Sequence, residues 1–205
     1  IEMKKDVLIC GVGGQGTVLA SKLIAAAAME EGNTVHSAET IGMAQRGGSV
    51  VSHVRMGDTG EEVIAPLVAK GTADMIIAFE PAEAARVLPY LAVDGVVVSA
   101  TTSIQPITAA LSRDPYQAEA VVSSLHTRLN SDSSVPARFV SIDDEAMLSQ
   151  VGSRKALNTV LLAFALKTGH LPLSLDDLRD AIRVCVKPRF VDMNLAAIDL
   201  VESKE

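Results

Sequence analysis

Cysteine is scarce in this 205-residue chain, basic residues are outnumbered, and long apolar runs are missing. The two cysteines, Cys10 and Cys185, share no metal-ligand spacing and cannot supply the four thiolates of a [4Fe–4S] cluster. Both are read as buried thiols, one at a strand end and one on a helix face. The net charge of −7 argues against nucleic acid or an anionic membrane as partner, since both need basic patches. Apolar runs such as Val160 to Leu166 fall well short of the roughly 20 residues that span a bilayer. The opening Ile1-Glu2-Met3-Lys4-Lys5-Asp6 leads directly into a strand, without the apolar region or cleavage site of a secretory signal, so a cytoplasmic location is expected. His36, His53, His126 and His170 share no metal spacing either, and none receives a catalytic or metal-binding role.

Glycine is placed with more purpose. The segment Gly11-Val12-Gly13-Gly14-Gln15-Gly16 follows the apolar run Val7 to Cys10 and opens the Ala-rich stretch Thr17 to Glu31. A glycine loop between strand and helix can cradle a phosphate, because the backbone approaches closely and the new helix offers free N–H groups. The same pattern also serves tight strand-to-helix packing alone. A dinucleotide site would add an acidic residue roughly 20 residues on, at the end of the second strand, where Glu39 is the candidate.

Hydrophobic periodicity predicts an α/β fold: a mostly parallel, Rossmann-like sheet flanked by helices, with a helical C-terminal part. Strands are expected at Val7–Cys10, Thr34–Ala38, Ser49–Met56, Ala73–Phe79, Gly95–Ala100 and Arg138–Ile142. The third alternates apolar and polar residues and reads as half-exposed, with an antiparallel edge as an open placement. Helices are expected at Thr17–Glu31, Pro81–Leu91, from Asp114-Pro115 to Leu129, around Ala156–Phe164, at Leu175–Cys185 behind a capping-box-like Ser174, and around Leu195–Val201. Lys187-Pro188-Arg189 separates the last two. The loop 130–134 is polar. One domain over 1–205 is expected, with 1–150 as sheet core and 151–205 as helices packing on it.

After Glu39 the chain continues Thr40-Ile41-Gly42-Met43-Ala44-Gln45-Arg46-Gly47-Gly48. With the glycine loop, this resembles the gamma subunit or domain of 2-oxoacid:ferredoxin oxidoreductases, and within that family the small beta subunit of the indolepyruvate branch. Gly152-Ser153-Arg154-Lys155-Ala156-Leu157-Asn158, Gly169-His170-Leu171-Pro172-Leu173-Ser174 and Val191-Asp192-Met193-Asn194 carry the resemblance to the C-terminal part. A glycine expected near Ala163 is missing, and 101–136 follows no family pattern.

The resemblance implies a multi-subunit oxidoreductase that decarboxylates a 2-oxoacid such as indolepyruvate on thiamine diphosphate, passes electrons through iron–sulfur clusters to ferredoxin, and transfers the acyl group to coenzyme A. No Gly-Asp-Gly diphosphate motif occurs, so thiamine diphosphate, Mg and [4Fe–4S] clusters are expected on a large alpha partner. Coenzyme A is the ligand expected here, on Gly11, Gly13, Gly14, Gln15 and Gly16, with Arg46 as charge partner between Gly47 and Gly48, Gln45 beside it and Glu39 nearby. Arg46 can equally serve a subunit interface, and Asn158 reads as a structural amide. Open alternatives are a pyruvate-type gamma subunit, a scaffold whose loop binds nothing, and an NAD(P)-dependent oxidoreductase. A homodimer is possible when the chain is alone.

Overall fold

A run as uniformly apolar as Val7–Cys10 is stable as a strand only when both faces of its sheet are covered. The computed structural model, which describes residues 4–41, 47–58, 65–104, 116–131 and 138–204, has that arrangement. Six strands form one sheet: β1 (Lys4–Val12), β2 (Thr34–Ile41), β3 (Ser49–Gly57), β4 (Ala73–Ala78), β5 (Leu91–Ala100) and β6 (Phe139–Ile142). Their order is β2-β3-β1-β4-β5-β6. β1, β4, β5 and β6 pair in parallel, whereas β3 runs antiparallel to both β1 and β2.

Seven helices are described: α1 (Thr17–Glu30), α2 (Pro81–Val87), α3 (Ala118–Leu129), α4 (Asp144–Val151), α5 (Leu157–Lys167), α6 (Leu175–Cys185) and α7 (Val191–Glu202). Successive strand residues point to opposite faces. Val7 and Ile9 therefore join α1 and α4 to α7 in one core, while Leu8 and Cys10 join α2 and α3 in another. The C-terminal helices thus complete one face of the sheet. Arg179 pins α6 to α7 by donating to Asp199, at 2.8 Å, and to Glu202. Ser174 and Asp177 close the expected capping box on α6, their side chains and backbone N–H groups bonding reciprocally at 2.6 and 3.2 Å.

Three expectations need correction. First, β3 is no edge: it lies between β2 and β1 and is buried on both faces, so its alternation of apolar and polar residues reports buried polar groups rather than a solvent face. His53 shows how such a group is accommodated. Its Nδ1 accepts from Val68 N–H at 3.1 Å, which requires the neutral ring, and burial lowers its pKa. Second, Cys185 is exposed; only Cys10 is buried, and its thiol pKa is raised by desolvation, which leaves it inert. Third, α2 stops at Val87, and a 3₁₀ turn over Leu88–Tyr90 leads into a strand that starts at Leu91, not Gly95. Pro89 removes the N–H that another α-helical turn would need. For the helix expected from Asp114-Pro115, α3 begins at Ala118, and residues 105–115 lie outside the described residues. The loop 130–134 lies outside them from 132 onward.

Candidate functional site

The chain leaves β1 into α1 on one face of the sheet, and leaves the neighbouring β4 into α2 on the other face. Adjacent parallel strands whose connections diverge in this way open a crevice at their carboxyl ends, where α/β sheets bind ligands. The glycine loop lines that crevice. Gly14 and Gly16 take φ of 102° and 95°, in the region that side chains avoid, so both glycines are required by the backbone. Gly11 is required by space: a Cβ there would stand 2.8 Å from Gln15 Oε1 and 2.9 Å from Phe79 Cβ.

Gln15 turns inward and braces this loop. Its Oε1 accepts from Val12 N–H at 2.6 Å, and its Nε2 donates to Phe79 O at 2.9 Å, tying the β1 loop to the end of β4. Gly13 N–H donates to Gly48 O at 2.8 Å, which draws Gly47 and Gly48 against the same loop just before β3. These bonds use the amides of Val12 and Gly13. The amides of Gly14, Gly16 and the first turn of α1 have no accepting partner among the described residues. No side chain caps α1, and its first turn holds no acidic residue. The positive end of the helix dipole therefore faces the crevice without compensation.

Of the expected site residues, Gly11, Gly13, Gly14, Gln15, Gly16, Gly47 and Gly48 come together. Gln45 and Arg46 lie outside the described residues. Glu39 does not join them. It sits exposed on the edge strand β2, level with Ser52 of β3, which in turn faces Ile9 of β1. Two interstrand steps, about 10 Å, separate it from β1. A dinucleotide site needs its acidic residue on the strand next to β1, and here β3 occupies that place.

The structure adds residues at the same crevice that the glycine pattern does not announce. Asn158, at the start of α5, lies under Gly16: a Cβ on Gly16 would be 3.8 Å from Asn158 Nδ2. Glu80 caps α2 by accepting from Glu83 N–H at 3.1 Å and also accepts from the Tyr116 hydroxyl, and burial raises its pKa. Ser49, directly opposite Val12, donates to Glu83 at 2.6 Å, and Arg86 of α2 bonds both. The Glu80-Pro81 sequence does signal a helix start. Nothing local signals that Ser49 and Arg86 meet, because 37 residues separate them.

A second cleft of about 690 Å³ opens beyond β5 and β6, lined by Thr101, Ser103, Glu119, His126, Asp143 and Glu145 among others. Its described lining holds carboxylates and hydroxyls and no Lys or Arg, so it suits phosphate poorly. Among the described residues no three His, Cys, Asp or Glu side chains are grouped to hold a metal ion, and no helix is long and apolar enough to cross a membrane.

A three-layer α/β domain with a glycine loop at its switch point, and an antiparallel strand inserted beside it, defines a class found in known oxidoreductases. The chain belongs to the pyruvate ferredoxin/flavodoxin oxidoreductase family, which it matches over residues 6–201. It is 36% identical to the indolepyruvate oxidoreductase subunit IorB of Archaeoglobus fulgidus, over 97% of this chain and 94% of that protein. The fold is shared with the gamma subunit of a keto/oxoacid ferredoxin oxidoreductase from Geobacter sulfurreducens, at a TM-score of 0.64 and 20% identity over 97% and 96% of the two chains. It is also shared with a 2-oxoglutarate:ferredoxin oxidoreductase from Magnetococcus marinus, solved with 2-oxoglutarate, coenzyme A and succinyl-CoA bound. There the TM-score is 0.67 and identity 16%, over 98% of this chain and 30% of that one.

Proposed function

We propose that this chain is the small subunit of a complex that oxidises an aryl 2-oxoacid such as indolepyruvate, and that its glycine-loop crevice holds the diphosphate of coenzyme A. In the overall reaction the 2-oxoacid loses CO2, two electrons pass singly to two ferredoxins, and the acyl group forms a thioester with coenzyme A. Thiamine diphosphate, Mg and the [4Fe–4S] clusters reside on the large alpha subunit in this reading. With two cysteines, one buried in β1 and one exposed at the end of α6, this chain cannot ligate a four-cysteine cluster by itself.

The observation that carries the ligand assignment is the uncapped α1 N-terminus behind Gly14 and Gly16. Gly14 stands open to solvent, so a diphosphate can reach the free amides at hydrogen-bond distance, and each amide gives a charge-assisted bond. Gln15 and the Gly13–Gly48 bond keep the loop in shape for this contact. The indolepyruvate assignment rests on the named relative at 36% identity over nearly the whole chain. Arg46 and Gln45 keep their proposed places beside the diphosphate, while Glu39 is left facing solvent or a partner.

Thermal unfolding of the purified chain with coenzyme A, NAD and NADP, each titrated separately, tests the ligand assignment. Coenzyme A alone should raise the melting temperature, as a ligand that binds only the folded state must. A rise with NAD or NADP would contradict the proposal. No rise with any of the three would leave the loop with a packing role only, and co-purification with the alpha subunit would then test the remaining, scaffolding role.

A further inference from the structure

We infer that Lys155 and Arg189, stacked on Phe190, form a second anion subsite that takes the phosphomonoester of the same ligand whose diphosphate meets the glycine loop. This inference rests on the coenzyme A reading and names the part of the molecule that reading leaves unplaced. The argument begins with charge. In this acidic chain Lys5, Arg55, Arg86, Arg154, Arg179 and Arg183 are each paired with carboxylates. Lys155 and Arg189 are among several described cations without a carboxylate partner, and both are exposed. Instead they share one ring: Lys155 Nζ stands 5.0 Å and Arg189 Cζ 4.7 Å from the Phe190 centroid. Their charges therefore lie within about 10 Å of each other, each attracted to the ring and repelled by the other. An anion between them relieves that repulsion.

The pair is also fixed in place beside the crevice. Lys155 precedes Asn158 by three residues, about one helical turn, and Asn158 packs against Gly16. Phe190 is tied to the same helix from behind. Asn194 donates to Phe190 O at 2.7 Å and accepts from Thr159 Oγ1 at 2.5 Å, both within the buried contact between α5 and α7. Asn158 thus links the glycine loop to the helix start that carries Lys155, and Phe190 holds Arg189 at the same place. A ligand with a diphosphate and a separate phosphomonoester on its ribose satisfies both. Coenzyme A has this pattern with its phosphomonoester on the ribose 3′ carbon and NADP with it on the 2′ carbon, whereas NAD lacks the second phosphate.

The test compares coenzyme A with 3′-dephospho-coenzyme A by isothermal titration into the purified chain, wild type and Lys155→Gln/Arg189→Gln. Wild type should bind coenzyme A about tenfold or more tightly than the dephospho form, the scale of two charge-assisted contacts. The double variant should bind both forms equally, at the wild-type affinity for the dephospho form, with an unchanged melting temperature because both side chains are exposed. Equal binding of the two ligands by wild type, or a preference that survives in the variant, would overturn the inference while leaving the diphosphate assignment standing. Binding of neither ligand by wild type would overturn both.

Discussion

At the amino end of the sheet, polar groups that leave water find partners. Asp6 is almost fully buried, and it accepts from Arg55 Nε at 2.8 Å and from Thr72 Oγ1 at 3.3 Å. Its own N–H donates to Asp74 at 2.8 Å, Asp74 also pairs with Lys5, and Arg55 donates onward to Ala65 O. At the carboxyl end the pattern reverses. The amides of Gly14, Gly16 and the first turn of α1 have no accepting partner among the described residues, α1 has no cap, and Lys155 and Arg189 stand without carboxylates. One end of the sheet is completed by the chain's own atoms; the other keeps donors and charge available for something else. Unsatisfied groups cost stability, so their concentration at one end points to a site rather than to careless packing.

Removing a partner at the completed end should have the largest effect on folding. Arg55→Ala leaves the buried Asp6 carboxylate without its counter-charge and with only the Thr72 hydroxyl, and should cost about 3–5 kcal/mol in urea unfolding while leaving ligand affinity per folded molecule unchanged. Gly11→Ala acts on both properties, because its new methyl must displace Gln15 or Phe79. About 1–3 kcal/mol of stability and most coenzyme A binding should be lost together, the former read by urea midpoint and the latter by calorimetry. Should Gly11→Ala bind normally, the shape of the loop is not what the ligand reads.

The pH dependence separates the two regions again. His53 has a folded pKa below its ordinary 6.5, so the unfolded chain takes up a proton first as pH falls. Its contribution is complete above pH 6.5 and is lost as pH falls through the folded value. Glu80 works in the opposite sense: its folded pKa lies above the ordinary 4.5, so the folded state holds a proton that the unfolded state has released, and stability declines as pH rises through that window. Glu80→Gln keeps an acceptor for Glu83 N–H and cannot ionise. Its stability advantage over wild type should grow from about pH 4.5 upward, measured as urea midpoints from pH 4.5 to 7.5. An advantage that does not change with pH would mean that Glu80 is solvated in a way its burial denies.

Much of the fold could be read from residues close together in sequence. The apolar run of β1, the glycine loop and the Ser174 capping box each declare themselves within a few positions, and each stands where it was expected. The place of β3 could not be read that way. Alternating Val and polar residues describe a strand with one wet face, and neither its place between β2 and β1 nor the packing of α1 over Ser52 and of Val68 and Tyr90 against His53 is written locally. The same long-range fact sets Glu39 apart from the loop. Asn158 and Phe190 illustrate the other limit: the helix of Asn158 and the break that ends just before Phe190 were legible, but their approach to Gly16 and Lys155 depends on how α5 and α7 pack across the chain.

The sharpest single measurement is calorimetric titration of coenzyme A into wild type and Val18→Glu. Val18 stands in the first turn of α1, only partly buried, and Glu there favours the helix dipole by about 0.3–1 kcal/mol while repelling any anion at the helix end. A variant that is as stable as wild type, or slightly more so, and binds coenzyme A at least tenfold more weakly is the predicted result. Unchanged affinity would contradict the claim that the glycine loop and α1 hold the diphosphate.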